Sequence, residues 1–108
     1  MKSAKRFAMV LVTVPDRKTG RRLVGVILRD RLAACVNLVA GVESHYRWKG
    51  RLECGREFLL MVKTTRTRLA ALEKCVLREH PYETPEFLVL RLESGSKEYL
   101  NWVAGAVL

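Results

Sequence analysis

The 108-residue chain has no apolar run near the ~20 residues that a membrane-spanning helix needs. The apolar stretch Phe7 to Val14 ends in β-branched residues and runs into Pro15-Asp16 without a small-residue cleavage site. This pattern predicts a strand rather than a signal peptide. We therefore expect no membrane segment.

Cysteine is scarce, and the number of cysteines is odd. Cys35, Cys54 and Cys75 lie 19 and 21 residues apart. That spacing fits neither a disulfide framework nor a C-x-x-C metal knuckle. Reduced thiols are the rule in the cytosol, so the expected location is cytoplasmic.

The short motifs of common enzyme classes are missing as well. The chain contains no G-x-S-x-G, no phosphate-cradling G-x-x-x-x-G-K-[ST] and no H-E-x-x-H. We therefore predict a protein that is not an enzyme.

Acidic residues are outnumbered: 20 Lys and Arg face 11 Asp and Glu, a formal net charge of +9. The excess is spread along the chain without a block of five or six like charges. Such a surface either keeps a protein soluble or binds nucleic acid weakly. An RNA-reading sheet needs several exposed aromatic residues, and the stretch Arg56 to Lys63 has one. No specific nucleic-acid partner is expected.

The remaining pattern alternates strands and helices. After the first strand, Asp16 can cap a helix whose apolar residues are Leu23, Val24, Ile27 and Leu28. From Val36 to Trp48 apolar and polar residues alternate, Lys49-Gly50 supplies a turn, and Arg51 to Lys63 returns. A 13-residue strand spans roughly 43 Å at about 3.3 Å per residue.

The length of this hairpin predicts an obligate oligomer. A 100-residue domain has a radius of gyration of about 13 Å, so the tip cannot lie fully on its own domain. The alternation places Tyr46, Trp48 and Leu52 on one face of the tip, where another subunit would cover them. The alternative is a bulge or bend at Gly41 or Gly55 that folds the ribbon back, and both can coexist.

Two helices and one strand complete the pattern. Leu69, Leu72 and Val76 mark a helix that Thr65 or Thr67 caps and that His80-Pro81 ends. A strand follows at 87–92, and a terminal helix then carries one apolar face: Tyr99, Trp102, Val103 and Ala106. This order predicts a single α+β domain over residues 1–108, a ferredoxin-like split βαβ sandwich.

Six strings follow one another from about residue 9 to residue 103. They are VTVPD (12–16), RLAACVN (31–37), YRWKG (46–50), MVKT (61–64), HPYETPE (80–86) and YLNWV (99–103). In these strings the chain resembles the CutA family of divalent-cation tolerance proteins. The resemblance implies a ferredoxin-like homotrimer in the cytoplasm with a role in tolerance of divalent cations, copper in particular. It also suggests an alternative: a ligand sensor or scaffold trimer built like the PII signalling proteins.

The family-matched residues that copper could bind are Cys35, His80 and Glu83, because copper accepts thiolate, imidazole and carboxylate. Each has a plainer interpretation: a small buried thiol, a helix-end histidine and a rigid-loop glutamate. Lys63, Tyr82 and Trp48 are candidates for a ligand cleft, with Lys63 either a charge for an anion or a solvated strand end. The candidate subunit interface is Tyr46, Trp48, Leu52 and Trp102.

Overall fold

The computed structural model describes residues 1–107 as six strands and three helices. The strands are β1 (Lys2–Ser3), β2 (Phe7–Val14), β3 (Cys35–Trp48), β4 (Arg51–Thr65), β5 (Leu88–Arg91) and β6 (Ser94–Gly95). The helices are α1 (Arg17–Arg29), α2 (Leu69–Glu79) and α3 (Lys97–Ala106), and a 3₁₀ turn at Arg66–Arg68 precedes α2. In these 107 residues no helix is long and apolar enough to cross a membrane.

The main sheet has the strand order β3-β4-β2-β5, and all neighbours are antiparallel. With α1 after β2 and α2 after β4, this is the ferredoxin-like α+β arrangement, so the predicted fold class is confirmed. A separate pairing of β1 with β6 ties Lys2 to Gly95. The sequence did not predict this pair, because two-residue strands show no periodicity.

The core lies between the sheet and helices α1 and α2. Alternate β2 residues, Val10, Val12 and Val14, are fully buried, whereas Met9, Leu11 and Thr13 on the other face are only half-buried. The predicted central strand is therefore confirmed, with one face covered rather than two. Asp16 caps α1 as predicted, because its Oδ1 accepts a hydrogen bond from the Thr19 amide at 2.7 Å.

Two details of the later helices differ from the prediction. Thr65 precedes the 3₁₀ turn without a capping hydrogen bond, and α2 itself begins after Arg68. The inward residues of α3 are Leu100 and Val103, because α3 docks on a small second core with Ala4 and Phe7. Val103 is therefore confirmed, whereas Tyr99 and Trp102 of the predicted face are exposed. The predicted end of α2 at His80-Pro81 is confirmed.

The hairpin of β3 and β4 turns at Lys49 and Gly50, as predicted. Both residues have positive φ angles, 49° and 78°, which is the pattern of a type I′ turn. The ladder is irregular between Val39 and Val42, where Gly41 has a φ of 80°. The bulge proposed for Gly41 is thus confirmed, whereas Gly55 pairs regularly with Ser44.

The bulge reverses the two faces of β3. Before it, Leu38 lies opposite Leu60, but beyond it Tyr46 lies opposite Glu53 and Leu52 opposite Arg47. Because directly opposed residues share a face, Leu52 points away from the face of Tyr46. The predicted single face of Tyr46, Trp48 and Leu52 is therefore wrong, since one inserted residue breaks the alternation.

Candidate functional site

A cleft of about 800 Å³ opens between the far part of the hairpin and the loop that follows α2. Its walls carry three aromatic side chains and four carboxylates: Tyr46, Trp48, Tyr82, Glu53, Glu57, Glu83 and Glu86. The hairpin contributes four of these residues and the loop three. This convergence of aromatic and carboxylate side chains defines the candidate site.

His80 fixes the loop side of the cleft. Its Nε2 donates a hydrogen bond to the Thr13 carbonyl at 2.8 Å, and its Nδ1 accepts one from the Tyr82 amide at 3.1 Å. A carbonyl can only accept and an amide N–H can only donate, so these partners define the neutral Nε2–H tautomer. The side chain is 7% exposed. His80 therefore fastens the loop to β2 with both of its ring nitrogens.

The loop and the hairpin touch at two points. The Tyr82 hydroxyl donates a hydrogen bond to Glu57 Oε2 at 2.7 Å, and burial together with this bond raises the pKa of Tyr82. Nearer the tip, Lys49 Nζ lies 4.0 Å from Glu83 Oε2. The hairpin therefore contacts the loop of its own domain. This agrees with the alternative prediction, in which a bulge or bend folds the ribbon back.

The cleft is acidic although the chain is strongly basic. Its lining includes four glutamates and no lysine or arginine. Burial, and then the charge of Glu57, raise the pKa of Glu86. Carboxylates held this close repel one another, so the site favours a cation over an anion.

Sequence reasoning missed Glu53, Glu57 and Glu86. A signal existed, because Glu53 and Glu57 share one face of β4 by simple alternation. Glu53 lies opposite Tyr46 only because of the bulge at Gly41. The sequence offered this bulge as one of two alternatives and did not fix the register beyond it. Glu86 lies in the string at 80–86, in which the sequence predicts Glu83 as the ligand.

The predicted metal ligands are not brought together within the chain. Cys35 is half-buried at the start of β3, opposite Lys63, while Glu83 lies exposed at the edge of the cleft. Among the described residues, the group of three potential ligands that does converge is Glu43, His45 and Cys54. For His80 to bind an ion, one of its two hydrogen bonds would have to break.

The predicted ligand cleft is only partly assembled. Trp48 and Tyr82 line it, but Lys63 lies outside it, with its Nζ 5.8 Å from the centre of the Tyr99 ring. The candidate interface side chains are all exposed: Tyr46, Trp48, Leu52 and Trp102 at 49, 39, 77 and 52%. Their role between subunits stays a prediction.

Comparison with known proteins identifies the family of the chain. The family described as CutA1 divalent ion tolerance protein matches residues 8–106. The divalent-cation tolerance protein CutA of Thermus thermophilus is 42% identical over 95 residues, 88% of this chain and 92% of that protein. The chloroplastic CutA 1 of Oryza sativa is 43% identical over 95 residues, but the chain spans only 54% of its length.

Solved structures give the same result. The CutA1 structure from Oryza sativa has a TM-score of 0.92 at 40% identity and covers 94% of each chain. That of the Thermus thermophilus protein has a TM-score of 0.91 at 40% identity, covering 94% of this chain and 98% of the other. By the family match over residues 8–106 and the identity to its relatives, the chain belongs to the CutA1 divalent ion tolerance protein family.

Proposed function

We propose that the protein is a cytoplasmic homotrimer that binds divalent cations without catalysis, with Cu²⁺ as the first ion to test. The observation that carries this proposal is the acidic cleft in a chain of net charge +9. A basic protein gains no general attraction for cations, so local carboxylates must supply it. Four glutamates at one cleft do so.

The donor atoms of the cleft are mainly carboxylate oxygens. Cu²⁺ binds a given set of oxygen and nitrogen donors more strongly than the other first-row divalent ions. Of the three predicted ligands, Glu83 lies in this cleft. Cys35 and His80 remain candidate ligands whose contribution variants can measure.

The trimer is supported by the sheet face away from α1 and α2, which α3 covers only in part. Helices α1 and α2 cover one side, while exposed apolar residues such as Val39, Leu88 and Leu90 lie on the sheet strands. The hairpin has no buried residue from 42 to 57. An isolated ribbon of this length is marginal in water, so further copies of the chain would stabilise it.

A copper titration of the purified protein tests the cation proposal. We expect Glu57→Gln and Glu83→Gln to weaken Cu²⁺ binding, and Glu73→Gln, a glutamate of α2 outside the cleft, to leave it unchanged. The change in Cu²⁺ affinity caused by Cys35→Ser and by His80→Ala measures what the other two predicted ligands contribute. Equal affinity in the wild type and both cleft variants would remove the cleft from the proposal.

The mass in solution tests the trimer. Sedimentation should give three copies of the 12.3 kDa chain. A monomer would contradict the proposal, because the exposed ribbon and sheet face would then have no cover.

The second candidate function is a small-ligand sensor. The cleft volume, about 800 Å³, lies in the range of small-molecule sites, and three aromatic side chains line it. Its charge favours a cationic ligand. A thermal-shift screen with cationic and anionic compounds tests this, since a ligand bound by the folded form alone raises the melting temperature.

A further inference from the structure

We propose a second metal site on the opposite face of the hairpin, formed by Glu43, His45 and Cys54 and suited to Zn²⁺ or a similar thiophilic divalent ion. One potential ligand atom from each residue lies within 4.8 Å of the other two. His45 Nε2 is 2.6 Å from Glu43 Oε2 and 3.8 Å from Cys54 Sγ. All three side chains are exposed.

The bulge at Gly41 creates this group. His45 lies directly opposite Cys54 in the ladder, and Glu43 precedes His45 by two residues on the same face. With the pairing found before the bulge, His45 would lie opposite Glu53, and Cys54 would point to the other face. The alternation of the sequence alone therefore separates residues that the folded ribbon places together.

The distances fit coordination after a small movement. Zn–N bonds of about 2.0–2.1 Å and Zn–S bonds of about 2.3 Å imply an N to S separation near 3.6 Å in a tetrahedral site. The observed 3.8 Å is close to that value. The 2.6 Å from His45 to Glu43 is a hydrogen bond, so the carboxylate must move back to bind the ion. An exposed glutamate can make this movement.

The proton balance of binding is simple. The Cys54 thiol releases its proton to solvent, because the thiolate is the metal ligand. The imidazole proton moves through solvent from Nε2 to Nδ1, so that the Nε2 lone pair faces the ion. Water fills the fourth position of a tetrahedral ion.

The charges around the site favour a thiophilic ion over a hard one. Arg56 lies opposite Glu43 on this face, and Arg47 follows His45 by two residues. Their guanidinium groups weaken the attraction that a hard cation such as Mg²⁺ depends on. A thiolate and an imidazole are donors that Mg²⁺ does not prefer and that Zn²⁺ does.

The site adjoins the acidic cleft and differs from it in two of its three ligands. His45 lines the cleft, whereas Glu43 and Cys54 do not. The proposal does not depend on copper binding at the cleft, and the two sites can be told apart by their donors. The glutamates of the cleft offer oxygen atoms, whereas this site adds the sulfur atom of Cys54.

Titration of the reduced, metal-free protein with Co²⁺ and Zn²⁺ tests the proposal. Bound Co²⁺ should show a thiolate-to-metal charge-transfer band, which Cys54→Ser abolishes and the matched Cys35→Ser retains. His45→Ala and Glu43→Gln should each weaken Zn²⁺ binding at least about tenfold, since losing an outer partner of a ligand alone costs about 10–100-fold. Glu57→Gln, in the cleft, should leave the charge-transfer band unchanged, because no thiolate lines the cleft.

Three results would overturn the site. They are no charge-transfer band in the wild type, a band that survives Cys54→Ser, and a band that Cys35→Ser removes. The two proposals can fail separately. If Glu57→Gln and Glu83→Gln leave the Cu²⁺ affinity unchanged, the cleft is rejected as a cation site. If the charge-transfer band is still present in that case, the site at Glu43, His45 and Cys54 is retained. Far-ultraviolet circular dichroism of each variant shows whether the ribbon still forms.

Discussion

The base and the tip of the hairpin follow the same alternation on β4 and yet have different environments. At the base Leu60 and Val62 are fully buried beneath the helices. Toward the tip, Leu52 and Cys54 continue the same face of β4 and are exposed. The alternation assigns a side chain to a face, but burial depends on whether another element covers that face.

The largest expected effect contrasts one leucine at the base with one at the tip. Leu60→Ala should lower the free energy of unfolding by about 2–5 kcal/mol, because it leaves a cavity in the core. Leu52→Ala should leave the subunit folded and weaken the association of subunits. Denaturant unfolding and sedimentation of both variants measure this contrast. Subunit unfolding caused by Leu52→Ala would contradict it.

The next effect concerns the junction between base and tip. Gly41→Val should cost about 1–3 kcal/mol of stability, because a β-branched residue is strained at a φ of 80°. No atom lies within 4 Å of the added Cβ, so the cost comes from the backbone. Gly55→Ala, which also meets open space but at an ordinary φ, is the control and should be close to neutral.

A smaller effect tests how the base packs on α1. Gly25→Ala should raise the stability by about 0.5–1 kcal/mol, since alanine favours a helix and its Cβ meets no atom within 4 Å. Gly20→Ala should gain less, because its Cβ would lie 2.9 Å from Leu38 Cδ1 and 3.3 Å from Val14 Cγ2. Thermal unfolding measures both gains. An equal rise in melting temperature for the two variants would show that Leu38 and Val14 move aside at little cost.

The smallest effect concerns the loop side of the acidic cleft, which faces the hairpin. The raised pKa of Glu86 means that the folded protein holds this proton more tightly than the unfolded chain does. The stability linked to Glu86 is therefore present below about pH 4 and is lost as the pH rises through the folded pKa. Glu86→Gln should raise the melting temperature at pH 7 and make no difference below about pH 4. A constant gain at both values would contradict the carboxylate repulsion.

Much of the fold was predictable because its elements obey simple periods. The strand at Phe7–Val14, the Asp16 cap, the Lys49-Gly50 turn and the end of α2 before Pro81 all follow from local rules and appear as expected. The pairing of β1 with β6 and the inward face of α3 depend on contacts between distant segments. Local patterns carry no information about those contacts.

The candidate sites were less predictable than the fold. Three predicted site residues do line the cleft: Trp48, Tyr82 and Glu83. They were predictable because they belong to the strings at 46–50 and 80–86, which form the hairpin tip and the loop after α2. The glutamates of β4 were missed, and His45 was not paired with Cys54, because the register beyond Gly41 could not be read from alternation. His80 looked like a ligand by residue type, whereas its hydrogen bonds give it a fastening role.

The sequence by itself determined the order of the elements, the hairpin and its turn, because each follows from local backbone preference and periodic burial. The tertiary structure decided where the charges meet. One extra residue at Gly41 exchanges the faces of β3, so a chain of net charge +9 gathers glutamates on one side of its ribbon and a His, Cys and Glu group on the other. A register shift of one residue moves every later side chain to the opposite face, and no local pattern fixes it.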